Sequence, residues 1–150
     1  MKKMVKSRLV AVHKTKVLVL RKVGKPLEYT LPGGIQKKNE TEAQALVREV
    51  EEEIKLKMKK SRPQFYLSHI KQNGRRAVTR NYFIAYLKPI PVKVKEKHKF
   101  EEACWMEWKE AAPFMDKSDR AAVKIYFKSL GRKLKTNKAY GSQISPRLAM

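Results

Sequence analysis

The sequence predicts an α/β domain, and three observations carry that expectation. Runs of β-branched and apolar residues at 5–12, 17–23, 65–72 and 77–87 have the composition of strands. Between the second and third runs the apolar period switches to that of a helix. A second helical pattern follows a short apolar strand at 103–108. With 150 residues and 42% hydrophobic content, the chain is long enough to bury one real core.

The runs 5–12 and 17–23 are joined by His13 to Lys16, which reads as a short turn. Gly24, Lys25 and Pro26 break the second run, and Tyr29, Thr30 and Leu31 form a short extended piece leading to Pro32, Gly33 and Gly34. Adjacent glycines permit backbone conformations closed to other residues and let a ligand approach the main chain. Ala43, Leu46, Val47, Val50 and Ile54 then recur on one helical face, which places Glu49, Glu52 and Glu53 on the flank away from that stripe. Asn73 and Gly74 mark a hairpin turn between 65–72 and 77–87, and 92–99 reads as an exposed, lysine-rich loop. Pro113 and Asp116 open a helix whose apolar face comprises Ala122, Ile125, Tyr126 and Leu130, and which Gly131 stops. The domain is therefore expected over residues 1–131, with 132–150 a basic, partly flexible tail.

The formal net charge is +22 and the pI near 10.2, so the surface attracts polyanions: nucleic acid, nucleotides or other phosphorylated ligands. No apolar run approaches the roughly 20 residues that cross a bilayer, and the basic start lacks a signal core. The lone Cys104 excludes an internal disulfide framework and any all-thiolate metal site. A cytoplasmic protein without a membrane partner is the expectation. His13, His69 and His98 share no ligand spacing, and Tyr29, Phe65, Tyr82 and Tyr86 are expected to fill the core or a cleft wall.

All 14 acids lie between Glu28 and Asp119, and six of them fall between Glu40 and Glu53. Glu49, Glu52 and Glu53 repel one another at neutral pH, and a bound divalent cation is the simplest way to offset that cost.

The stretch from Gly34 resembles the Nudix box, G-x5-E-x7-R-E-U-x-E-E-x-G-U with U a bulky aliphatic. Gly34, Glu40, Arg48, Glu49, Val50, Glu52, Glu53 and Leu56 match in register. Lys55 stands at the late glycine, and Asn39 replaces the glycine that commonly precedes the first glutamate. The resemblance implies an α/β/α sandwich with a mixed sheet and hydrolysis, dependent on Mg²⁺ or Mn²⁺, of a phosphoanhydride in a nucleoside diphosphate derivative or other polyphosphorylated molecule.

By position, the resemblance implies Glu49, Glu52 and Glu53 as metal ligands, with the Gly33 carbonyl as an added one and Glu49 as a candidate base. Gly34, Glu40 and Arg48 are implied as bracing. A further loop carboxylate completes the site in many relatives. Here Glu96, Glu101 and Glu102 lie in the right region, and Glu102 is the preferred candidate. The expected partner is an anionic phosphorylated small molecule, with RNA a second candidate; the oligomeric state stays open, a homodimer included. The alternative function is a catalytically idle Nudix domain that binds nucleotide or RNA.

Overall fold

The computed structural model describes residues 2–24 and 26–139. Its elements are β1 (Lys2–His13), β2 (Lys16–Lys22), β3 (Tyr29–Thr30), β4 (Gly33–Ile35), α1 (Glu42–Ile54), β5 (Gln64–Asn73), β6 (Arg76–Tyr86), β7 (Phe100–Glu107), α2 (Trp108–Ala111) and α3 (Lys117–Ala139). β1 runs parallel to β6 from Lys2 to Val12, while the other pairings are antiparallel, so the sheet is mixed.

β1 and β2 are apolar at successive positions because both faces of the sheet are covered. Leu9, Ala11, Leu18 and Leu20 face α1 and pack with Leu46, Val50 and Ile54. Val10, Val12, Val17 and Val19 face α3 and pack with Ala122, Val123, Tyr126 and Phe127. The result is the expected α/β/α layering.

After their turn, β1 and β2 stay paired only at Val12↔Val17 and His13↔Lys16. They then separate, and the segment from Tyr29 to Ile35 fills the gap. β3 pairs with β2 at Leu20 and Arg21, Leu9 N donates to Pro32 O at 2.8 Å, and β4 pairs with β1 from Lys6 to Arg8. Gly33, at φ 141°, sits where a Cβ would lie 2.0 Å from the Ser7 carbonyl oxygen, so only glycine permits this approach.

Several expectations shift. On α1 the buried positions are Ala45, Leu46, Val50, Glu53 and Ile54, so Glu53 lies on the inward face and not on the outer flank. Helical period alone does not tell how a stripe's edge is shared between sheet and solvent. On α3, Ile125 is exposed, while Val123 and Phe127 are buried and Phe127 stacks on Trp108 at 5.3 Å. Asp116 opens α3, accepting from Asp119 N at 2.8 Å, but the helix passes through Gly131 to Ala139. One glycine costs a helix only about 1 kcal/mol, too little to end it. Residues 140–150 of the tail lie outside the described residues. The hairpin loop is Gly74 and Arg75, one residue later than expected.

At the start of α1, Thr41 and Gln44 form a reciprocal capping box. At its end Lys55 takes the left-handed conformation itself, at φ 56°, and Asn39 does the same at φ 67°. Such backbone costs a lysine about 1 kcal/mol relative to glycine. Lys55→Gly is therefore expected to stabilise the fold by about 1 kcal/mol, raising the thermal midpoint by roughly 2–4 °C. An unchanged or lower midpoint contradicts this account of the cap.

Candidate active site

The segment inserted between β1 and β2 delivers two backbone glycines to the inner side of α1. Gly33 N donates to Glu53 Oε1 at 2.8 Å, and Glu53 is 4% exposed. A Cβ on Gly34 would lie 2.4 Å from Glu49 Cδ, so the missing side chain is the space that the Glu49 carboxylate occupies. Burial pushes the Glu53 carboxyl up to about 8; the Gly33 amide and Arg8 pull it down, while Glu49 and Glu96 push it further up.

Arg48 binds the outer half of the cluster. Its Nε and Nη2 hold both oxygens of Glu40, at 2.7 and 3.0 Å. Its Nη1 reaches Glu49 at 2.9 Å and Glu52 at 3.3 Å, and Nη2 also donates to Ile35 O at 3.1 Å. Glu40 is held at about 2, chiefly by Arg48, and accepts from Lys37 N as well. One guanidinium thus ties the loop after β4 to the helix that carries the glutamates.

The segment 92–99 is less open than expected. Val92 and Val94 pack against the α1-side core, and Lys95 N donates to Glu53 O at 2.8 Å. Glu96 continues that alternation inward; its Oε2 pairs with Lys99 at 3.3 Å, while its Oε1 is buried without a hydrogen-bond partner. The period-two pattern Val92, Val94, Glu96 was the available sequence signal. Glu102 is placed elsewhere. It lies in β7 opposite Arg21, its charge acts on Cys104 and Tyr29, and those two pack on the α3-side core. The structure therefore brings together Glu40, Arg48, Glu49, Glu52, Glu53, Gly33, Gly34 and Glu96, with Glu102 on the opposite face of the sheet. The Gly33 carbonyl accepts from Arg8 Nη1 at 3.0 Å.

Among the described residues, no three His, Cys, Asp or Glu side chains already converge into an ion cage. The donors nevertheless fit a hard divalent cation. They are carboxylate oxygens, one of them raised by burial beside two like charges and another orphaned, and a cation would relieve both.

A mixed sheet thus lies between helices, with two glutamates of α1 set against the glycine backbone of the inserted segment. The NUDIX domain family model matches residues 4–127. A MutT NUDIX hydrolase from Burkholderia pseudomallei superposes with TM-score 0.71 at 18% identity, covering 83% of this chain and 98% of that one. A MutT protein from Methanosarcina mazei Go1 gives 0.70 at 18%, covering 85% and 95%, and a C. elegans Ap4A hydrolase gives 0.65 at 20%, covering 89% and 99%. No curated protein matched. The chain belongs to the Nudix family and is a pyrophosphohydrolase of that type. Nudix hydrolases generally use divalent metals. Among the described residues, no helix is long and apolar enough to cross a membrane.

If Glu53 holds a divalent cation, a proton competes for the same carboxylate, and apparent Mg²⁺ affinity is then expected to rise with pH until about 8 and to level off. In metal-free protein the sign reverses for stability. The folded state holds a proton that the unfolded chain releases near 4.5, so the contribution is full below that pH and is lost as pH rises through about 8. Calorimetric Mg²⁺ titrations and metal-free melts across this range check both signs; Glu53→Gln removes both slopes, and a flat wild-type profile contradicts the assignment.

Proposed function

We propose that this chain hydrolyses a phosphoanhydride in a nucleoside diphosphate derivative or another polyphosphorylated molecule, with Mg²⁺ or Mn²⁺ held by Glu49, Glu52 and Glu53. One observation carries the reading. Glu53 is buried against the Gly33 amide with two further carboxylates acting on it, an arrangement whose cost a cation offsets.

When bound, the metal neutralises phosphate oxygens and lowers the pKa of attacking water. The chain's own residues do the rest. Arg48 fixes the directions of Glu49 and Glu52, and Gly34 leaves room for the Glu49 carboxylate, which can take a proton from the water. Glu96 takes the part expected of Glu102, because it alone of the two faces Glu53. The Gly33 carbonyl can join the ligands only by sharing its oxygen with Arg8. An anionic small molecule is the substrate in this reading, drawn in by the net charge of +22. We place the reaction in the cytoplasm, where Cys104, its thiol pushed up to about 11 by burial and by Glu102, stays reduced.

The test is an Mg²⁺ and Mn²⁺ activity screen over nucleoside diphosphate derivatives, dinucleoside polyphosphates and triphosphorylated RNA. The dinucleoside polyphosphates are included because the C. elegans neighbour is an Ap4A hydrolase. On the best compound, Glu52→Gln with Glu53→Gln is expected to abolish turnover. Glu96→Gln should lower kcat by about a hundredfold and Glu102→Gln should leave it near wild type. Equal rates for wild type and the double variant on every compound would instead mark an idle binding domain.

A further inference from the structure

The carboxylate site does not account for where most of the positive charge lies. Neither core cluster includes a residue of β1 before Leu9 or of β6 before Tyr82. The outer parts of β1 and β6, with the length of β5 paired to them, form a three-stranded ribbon whose inner rungs still meet the helices, through Ser7 Oγ donating to Glu42 O and Arg80 paired with Asp116 and Asp119. None of the three strands contains an aspartate or glutamate.

The register sorts this ribbon into faces. On the α3 side, Lys6, Arg80 and His69 form one row, and Met4, Val78 and Lys71 the next, with Arg76 and Asn73 beyond them. Arg80 is neutralised by Asp116 and Asp119 at 2.6 and 3.3 Å. Among the described residues, Lys6, Lys71 and Arg76 are in no ion pair. His69, Lys71 and Arg76 are exposed, and so is Met4. The pKa of Lys6 is lowered by burial and then by Arg8 and Arg80, with Asp116 opposing, so cations crowd this row. The first row leads along β1 to Arg8, which holds the Gly33 carbonyl of the carboxylate site.

We propose that the α3-side face of this β1, β6 and β5 ribbon binds single-stranded RNA. Lys6, Lys71 and Arg76, spread over three successive rows and in no ion pair among the described residues, can meet a chain of phosphates, and Met4, Val78 and His69 between them offer a surface to unstacked bases. A duplex hides those base faces and cannot use the surface. The choice of RNA over DNA rests on the hydrolase reading, because a diphosphate bond in a polynucleotide occurs at the 5′ polyphosphate end of an RNA chain. The binding itself does not depend on catalysis.

The test is fluorescence anisotropy of the full chain with a 3′-labelled oligouridylate of about ten nucleotides, without divalent metal. Lys71→Gln with Arg76→Gln is expected to weaken binding about tenfold at moderate salt and to reduce the log–log salt slope by about 1.4. The same charge removed from the connector, Lys57→Gln with Lys59→Gln, should change affinity less than about twofold. Lys71→Arg with Arg76→Lys should restore it, which excludes misfolding. Equal losses for the two neutralised pairs, an unaffected ribbon pair, no binding by wild type, or tighter binding of duplex RNA or the deoxy oligomer each overturn the proposal. Hydrolysis of the best small substrate, read in parallel, should be unchanged in the ribbon pair, so a failure of the hydrolase reading shows separately.

Discussion

The hydrogen bond from Gly33 N to Glu53 joins the two halves of the site, and much of the molecule exists to make it. It requires a main-chain amide within reach of a carboxylate on the sheet-facing side of α1. That amide is available because β1 and β2 part after one short ladder and admit the segment from Tyr29 to Ile35 between them. It is close enough because Gly33 has no Cβ to strike the Ser7 carbonyl. Leu46, Val50 and Ile54 press the helix against the sheet and hold the carboxylate there. The apolar core thereby positions a group that it would otherwise exclude.

The electrostatics follow from that burial. Two arginines bracket the cluster, Arg48 on the solvent side and Arg8 on the opposite face of the β1 edge. Arg48 keeps Glu40 charged and directs the outer glutamates. Burial raises the carboxyl of Glu53, which is in no ion pair among the described residues, while Arg48 lowers Glu40 in the same small site. The box carboxylates gather against α1, while β1, β5 and β6 carry cations and no acid.

How much of this could be read from the chain depends on the range over which each feature is decided. Local signals were sufficient for the five longer strands, for the existence of α1 and for the spacing of Gly34, Glu40, Arg48, Glu49, Glu52 and Glu53. The left-handed Asn39 and Lys55 likewise sit where the glycines of the related pattern stand. Side-chain direction was harder. The exposed Ile125 and the buried Val123 and Phe127 show that a helix with mixed apolar positions is oriented by what it meets, here Trp108 and the sheet.

The sequence by itself determined the class of fold, the family pattern and the spacing of the helix glutamates, because these depend on residue type and on spacing along one helix and one loop. Tertiary structure decided which carboxylates meet. Glu96 and Glu102 are near in sequence and chemically alike, yet the docking of 92–99 against α1 and the register of β7 put them on opposite faces of the sheet. It also decided that Glu53 is buried and that three strands distant in sequence share one basic face. Those outcomes depend on strand pairing and layer packing, where a shift of one residue turns a side chain to the other face.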